Sequence, residues 1–241
     1  MYPRQTSRSR AFTGFSMVEI LTVIAIIALL LGLLLPALAG VRKTSRKTRE
    51  LNDLRQVGLA TVLYADDQNG NLPPSVYGQP GRRKQEMMAV HRGGKAGNWE
   101  GLGWLHAHEY FKGPQVLYCP SHLGDHTFQR YEKQYRRPNK MKIYSNYHYA
   151  GPMDWIGPVG VPRRLGRGGE RLVIATDGLR SVRDFNHQVG MNVLRGDNSV
   201  TWLDDSSGQV KKMLPGQLLE DPDGDQQLYT DIWELIIRGG K

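Results

Sequence analysis

The sequence predicts an α+β protein in which a long N-terminal helix leads into antiparallel strands, and three observations predict it. The first is an apolar run. Between Phe15 and Leu35, 17 of 21 residues are apolar, and at about 1.5 Å per residue a helix of that length spans a hydrocarbon core of roughly 30 Å. The second is helical spacing beyond that run, through Val41, Leu51, Leu54, Val57, Val62 and Leu63, uninterrupted by proline until Pro73. The third is a strand-turn-strand pattern: Gly190 to Arg195, the turn Gly196-Asp197-Asn198, then Ser199 to Leu203.

Taken in order, residues 1–14 form a short leader with Arg4, Arg8 and Arg10 and no acid, which reads as a targeting element outside the fold. Residues 15–36 are the transmembrane half of the helix. They carry one carboxylate, Glu19, about one turn in, where a charge costs a few kcal/mol unless it is paired or near the interface. Residues 37–70 continue the helix into water, making a rod of about 75 Å over residues 17 to 67, bent where Pro36 removes an amide. That second half is amphipathic and must pack on something. Asp66-Asp67-Gln68-Asn69-Gly70-Asn71-Leu72-Pro73 is its stop signal.

Residues 71–241 are then one globular domain with variable loops, long enough for a core. Ser75 to Gly103, rich in Gly, Pro and charge, reads as an exposed loop. Leu102 to Phe111 suggests a short amphipathic helix, and Val116 to Pro120 a short strand ended by proline. Ile143 to Ala150 and Arg171 to Gly178 are strand-like, the second more strongly. The tail from Leu228 to Ile237 has helical spacing, with a strand as the rival. A single cysteine, Cys119, excludes an intramolecular disulfide framework.

Three readings compete for the opening stretch. A secretory signal peptide would use the leader arginines, the run from Ile20 and the site Ala37-Leu38-Ala39, releasing a soluble exported protein. Against it, 39 residues is long and Glu19 would be pointless in a discarded segment. A plain single-pass anchor leaves Glu19 incidental. The third reading rests on Gly14, Phe15, Glu19 and Pro36: a basic leader ending in Gly, then Phe, three further residues, Glu, and a long aliphatic run with a proline 22 residues after the Gly.

That pattern resembles the signal of type IV prepilins and type II secretion system pseudopilins. The resemblance implies cleavage by a prepilin peptidase between Gly14 and Phe15, N-methylation of Phe15, and pairing of the new amine with Glu19 of a neighbouring copy. It implies a pilin-like fold, with the N-terminal helix packed on a C-terminal antiparallel sheet. The implied role is a structural subunit of a pilus or pseudopilus filament acting in protein secretion. Its partners would be other copies or minor pseudopilins, the assembly platform and inner membrane lipid. The N-terminus would be cytoplasmic and the globular domain periplasmic. Counting Arg42, Lys43, Arg46, Lys47, Arg49 and Arg55 would by itself give the reverse orientation. His187, followed by nine residues and Asp197-Asn198, resembles a C-terminal motif of such proteins that ends in Asp-Gly. Asn tolerates positive φ next best after Gly, so the turn survives that departure.

Signals for other chemistry are sparse. No Gly-Lys phosphate loop, G-x-S-x-G elbow or catalytic triad stands out, so no catalytic residues are assigned. Cys119, His122 and His126 have metal-compatible spacing, with His106 and His108 nearby, yet fall short of four well-spaced zinc ligands. Asp221, Asp223 and Asp225 look like the start of a calcium loop, but lack its later glycine and closing glutamate. The resemblance to secretion pseudopilins, some of which bind calcium near the carboxyl end, raises calcium as a candidate there, with a solvated acidic turn as the simpler expectation and no cofactor otherwise. Net charge is +9, unevenly spread: Arg130 to Lys142 holds six basic residues and one acid, and Glu220 to Glu234 six acids and no base. A DNA-uptake pilin would use that basic stretch with Tyr131, Tyr135, Tyr144, Tyr147 and Tyr149 against nucleic acid. A merely solvated surface is the simpler expectation.

Overall fold

The computed structural model describes residues 16–79, 81–94, 97–151, 164–166 and 172–239. Gly14 and Phe15 lie outside them, as does the side chain of Pro36. The chain divides into two compact units, with the boundary between Ser45 and Arg46. Helix α1 spans Met17–Asp67 and is continuous through position 36.

In the first unit every described side chain of α1 is exposed. Its apolar window, with a mean hydropathy of 2.9, is long and apolar enough to cross a membrane. The start of the helix is capped locally. Ser16 Oγ accepts from Val18 N at 3.2 Å, and Glu19 Oε2 accepts from Ser16 N at 2.8 Å. This is a capping box, satisfying two amides that the first turn leaves without helical partners.

The second unit is a three-layer α+β arrangement. Its central sheet runs β3 (Tyr147–Tyr149), β4 (Val173–Asp177), β5 (Gly190–Arg195) and β6 (Val200–Asp204), all antiparallel. One face packs on α1 from Arg46 onward, joining Leu54, Val57, Ala60 and Tyr64 to Tyr147, Tyr149, Ile174 and Leu194. The other packs on α5 (Pro222–Gly239), through Val173, Met191, Val193, Tyr229, Ile232 and Trp233. Because both faces are covered, β3, β4 and β5 are buried along their whole length. An irregularity between Val173 and Ala175 lets Val173 point toward α5 while Ala175 points toward α1.

Several expectations hold. α1 stops at Asp67, where Asn69 and Gly70 take positive φ (55° and 83°) and Gly70 N reaches Ala65 O at 2.6 Å. The β5–β6 turn places Asn198 at φ 66°. The tail is helical, with Tyr229, Ile232, Trp233 and Ile236 forming its buried stripe. The helix read over Leu102 to Phe111 is confined to α2, Gly103–Ala107, and between it and α5 lie α3 (Phe128–Arg136) and α4 (Gln209–Met213).

Others need correction. The segment from Ser75 to Gly103 is not an exposed loop: Lys84–Met88 is a buried 3₁₀ turn, and β1 (Ala89–His91) pairs with β2 (Ile143–Tyr144). Its two glutamates are buried and paired, which is why polarity misled. Glu86 accepts from Lys142 Nζ (2.8 Å), Tyr144 Oη (2.6 Å) and Arg180 Nη2 (3.2 Å), and Glu100 pairs with Arg92 at 2.6 Å. Val116 to Cys119 is not a strand. Pro114 starts a 3₁₀ turn over Pro114–Leu117, closed by Tyr118 N to Gln115 O. The strand expected over Ile143 to Ala150 breaks at Ser145 and Asn146, whose amides turn aside to Met88 O and Leu117 O, both at 2.9 Å.

Candidate functional site

A buried polar node lies where α1 meets the sheet in the second unit. Among the described side chains of α1, Glu50 is the first that is buried. It meets Asp177 at the end of β4, Asn192 on β5, His187 from the β4–β5 connection and Cys119, which follows the Pro114–Leu117 turn. Glu50 and Asp177 are fully buried, and the His187 side chain is 18% exposed. His187 Nε2 donates to Glu50 Oε1 at 2.6 Å and lies 3.4 Å from Asp177 Oδ2. Asn192 Nδ2 donates to Glu50 Oε1 (2.9 Å) and Asp177 Oδ2 (3.2 Å), while its backbone N–H donates to Asp177 Oδ2 at 2.6 Å.

The electrostatics follow from two carboxyls sharing one dry site. Burial, then the charge of Glu50, push Asp177 well above the usual carboxylate range. Burial would raise Glu50 as well, but the hydrogen bond and charge of His187 outweigh it and hold Glu50 below its ordinary value. Burial would likewise lower His187, yet Glu50 and Asp177 raise it. Burial, then the charges of Asp177 and Glu50, push the Cys119 thiol up strongly. The two carboxyls are thus driven apart, Asp177 toward its neutral form and Glu50 toward the anion that pairs with His187.

The His187 motif acquires a physical account here. His187 touches Glu50, and Asn198, eleven residues on, touches Gly58, so both ends of the motif grip one helix. Glu50 and Gly58 lie eight residues, or about 12 Å, apart along α1. A Cβ on Gly58 would fall 2.0 Å from Asn198 Oδ1 and 2.8 Å from Leu194 Cδ1, so the absent side chain allows the helix onto the turn.

The other sequence candidates are dispersed. Cys119 does not join His122 and His126: His122 Nδ1 meets Asn186 Oδ1 at 2.5 Å, and His126 Nδ1 meets Tyr131 Oη at 2.7 Å. His106 and His108 pack against Tyr135 and Trp104. Asp221 Oδ2 caps α5 by accepting from Gly224 N at 3.0 Å. Asp225 turns inward, its carboxylate accepting from the amides of Lys84 and Gln85. These two carboxylates thus serve separate amides, and the Asp223 side chain lies outside the described set. Tyr131, Tyr135, Tyr144, Tyr147 and Tyr149 are buried, so these five rings give no stacking platform beside the exposed Arg130, Lys133, Arg136, Arg137 and Lys140.

Sequence reasoning missed Glu50, Asp177 and Asn192. The available signals were an acid ending the basic run Arg42 to Arg49, and polar residues inside the most strand-like segments. Comparison of the chain with protein-family models, curated proteins and solved structures gives no match.

Proposed function

We propose that this chain is a noncatalytic, membrane-anchored subunit of a type IV pilus-like or type II secretion pseudopilus filament. It is processed by a prepilin peptidase between Gly14 and Phe15, and acts in protein secretion. The observation that carries the reading is one continuous helix, Met17–Asp67, whose apolar half has its described side chains exposed and bears a single acid, Glu19. In a filament those halves bundle in the core, and the globular units, held outside the inner membrane, form the surface. Glu19 pairs with the methylated Phe15 amine of a neighbour and fixes the stagger between helices.

The capping box supplies the rival role for Glu19, since its carboxylate already serves Ser16 N. Glutamine at the third helical position keeps such a box but carries no charge. Glu19→Gln and Glu19→Ala should therefore both insert in the membrane and both fail to form filaments in the native host, as judged by shearing and crosslinking. Wild-type filament yield from Glu19→Gln would reduce Glu19 to a cap and remove intersubunit pairing from the account.

A further inference from the structure

We propose that Glu50, Cys119, Asp177 and His187 form a zinc site that staples α1 to the sheet. The four side chains come from four separate segments, yet each brings one ligand atom to within 4.8 Å of the others. Outside this cluster, Glu50 Oε2 and Asp177 Oδ1 are buried without a hydrogen-bond partner among the described residues. Two carboxyls held together in a dry interior, with only the Asp177 proton between them, form a site where a cation could take the proton's place.

The donor set selects the metal. Calcium and magnesium take oxygen ligands, whereas a thiolate and an imidazole beside two carboxylates suit zinc, which favours four tetrahedral ligands from this set. Zinc bonds of about 2.0–2.3 Å would place ligand atoms roughly 3.3–3.8 Å apart. His187 Nε2, now 2.6 Å from Glu50 Oε1, would step back slightly as the metal replaces the proton between them. The supporting contacts are in place: Ser121 N donates to Cys119 Sγ at 3.3 Å, and Asn192 orients both carboxylates. Cys119 also borders a cavity of about 380 Å³, lined by Arg49, His122 and Asn146.

Binding balances as an exchange of protons for metal. The Cys119 thiol, the His187 Nε2–H and the Asp177 carboxyl each release one proton to solvent, leaving three anionic ligands and one neutral imidazole on Zn²⁺. The site then carries one net negative charge, which the Ser121 and Asn192 N–H groups face.

The test uses the full chain in detergent. After chelator treatment, zinc should restore one metal per chain by elemental analysis and raise the melting temperature, whereas calcium and magnesium should do neither. Cobalt(II) in place of zinc should give a near-ultraviolet thiolate charge-transfer band. Cys119→Ser should abolish that band, and His187→Gln should weaken cobalt and zinc binding at least tenfold. Zinc at or below the buffer blank with an unchanged melting temperature would overturn the site, and so would a charge-transfer band surviving in Cys119→Ser. Because the zinc, calcium and magnesium comparison uses wild-type protein, the proposal stays exposed to refutation even where a variant misfolds.

Discussion

The two halves of α1 share one backbone and obey opposite rules. Residues 20 to 35 are almost wholly apolar, and every described side chain there is exposed; Arg46 to Asp67 is studded with charge, yet supplies Leu54, Val57, Ala60 and Tyr64 to the core. Hydrophobicity therefore does not by itself mark the core of this fold. A stripe at helical spacing is buried against a sheet that water would otherwise wet, whereas a helix apolar on all sides suits lipid.

Substituting both halves alike sharpens the contrast. Leu54 is fully buried, so Leu54→Ala should destabilise the second unit by about 2–5 kcal/mol in urea titrations followed by tyrosine and tryptophan signals. Leu30→Ala, at a residue 60% exposed, should leave that transition within about 0.5 kcal/mol of wild type. The two glycines form a second pair. Gly58→Val should cost about 1–3 kcal/mol, because Asn198 and Leu194 must move aside. Gly32→Val meets nothing within 4 Å and should leave the same transition unmoved. Equal effects in either pair would break the comparison.

A further effect depends on pH and belongs to the α5 face. His148 is fully buried and stacks on Tyr229 at 5.2 Å, and burial lowers its pKa to about 3. The unfolded chain takes up a proton on this residue near pH 6.5, but the folded chain refuses it until about pH 3. Stability is therefore lost as pH falls through that window, by up to about 1.4 kcal/mol per unit. His148→Phe keeps the stacked ring and should move the acid-unfolding midpoint to lower pH. An unshifted midpoint would mean that His148 does not stay neutral in the fold.

The elements legible in the sequence were those whose pattern answers to one environment. The apolar run, the stop at Asn69-Gly70 and the β5–β6 turn each depend on local chemistry. Residues whose environment is assembled from distant segments were illegible. Lys84 to Met88 reads as surface until Lys142, Tyr144 and Arg180 arrive to pair Glu86. Cys119 sits three residues from His122, yet faces Glu50 and Asp177 across the fold. His187 was visible through its spacing to Asp197, but its partner on α1 was not, because Glu50 sits among basic residues that resemble any solvated helix.

The most direct test of the filament-subunit account is the identity of the mature N-terminus, measured by mass spectrometry on protein from the native host's membranes. The account predicts a chain that begins at Phe15, carries one added methyl group and remains membrane-bound. It also predicts that Gly14→Val leaves the full-length precursor in the membrane, since the missing side chain lets the peptidase approach the scissile bond closely. A soluble chain beginning at Gly40 would contradict it in favour of a signal peptide. A membrane-bound chain keeping Met1 or Tyr2 would contradict it in favour of a plain anchor.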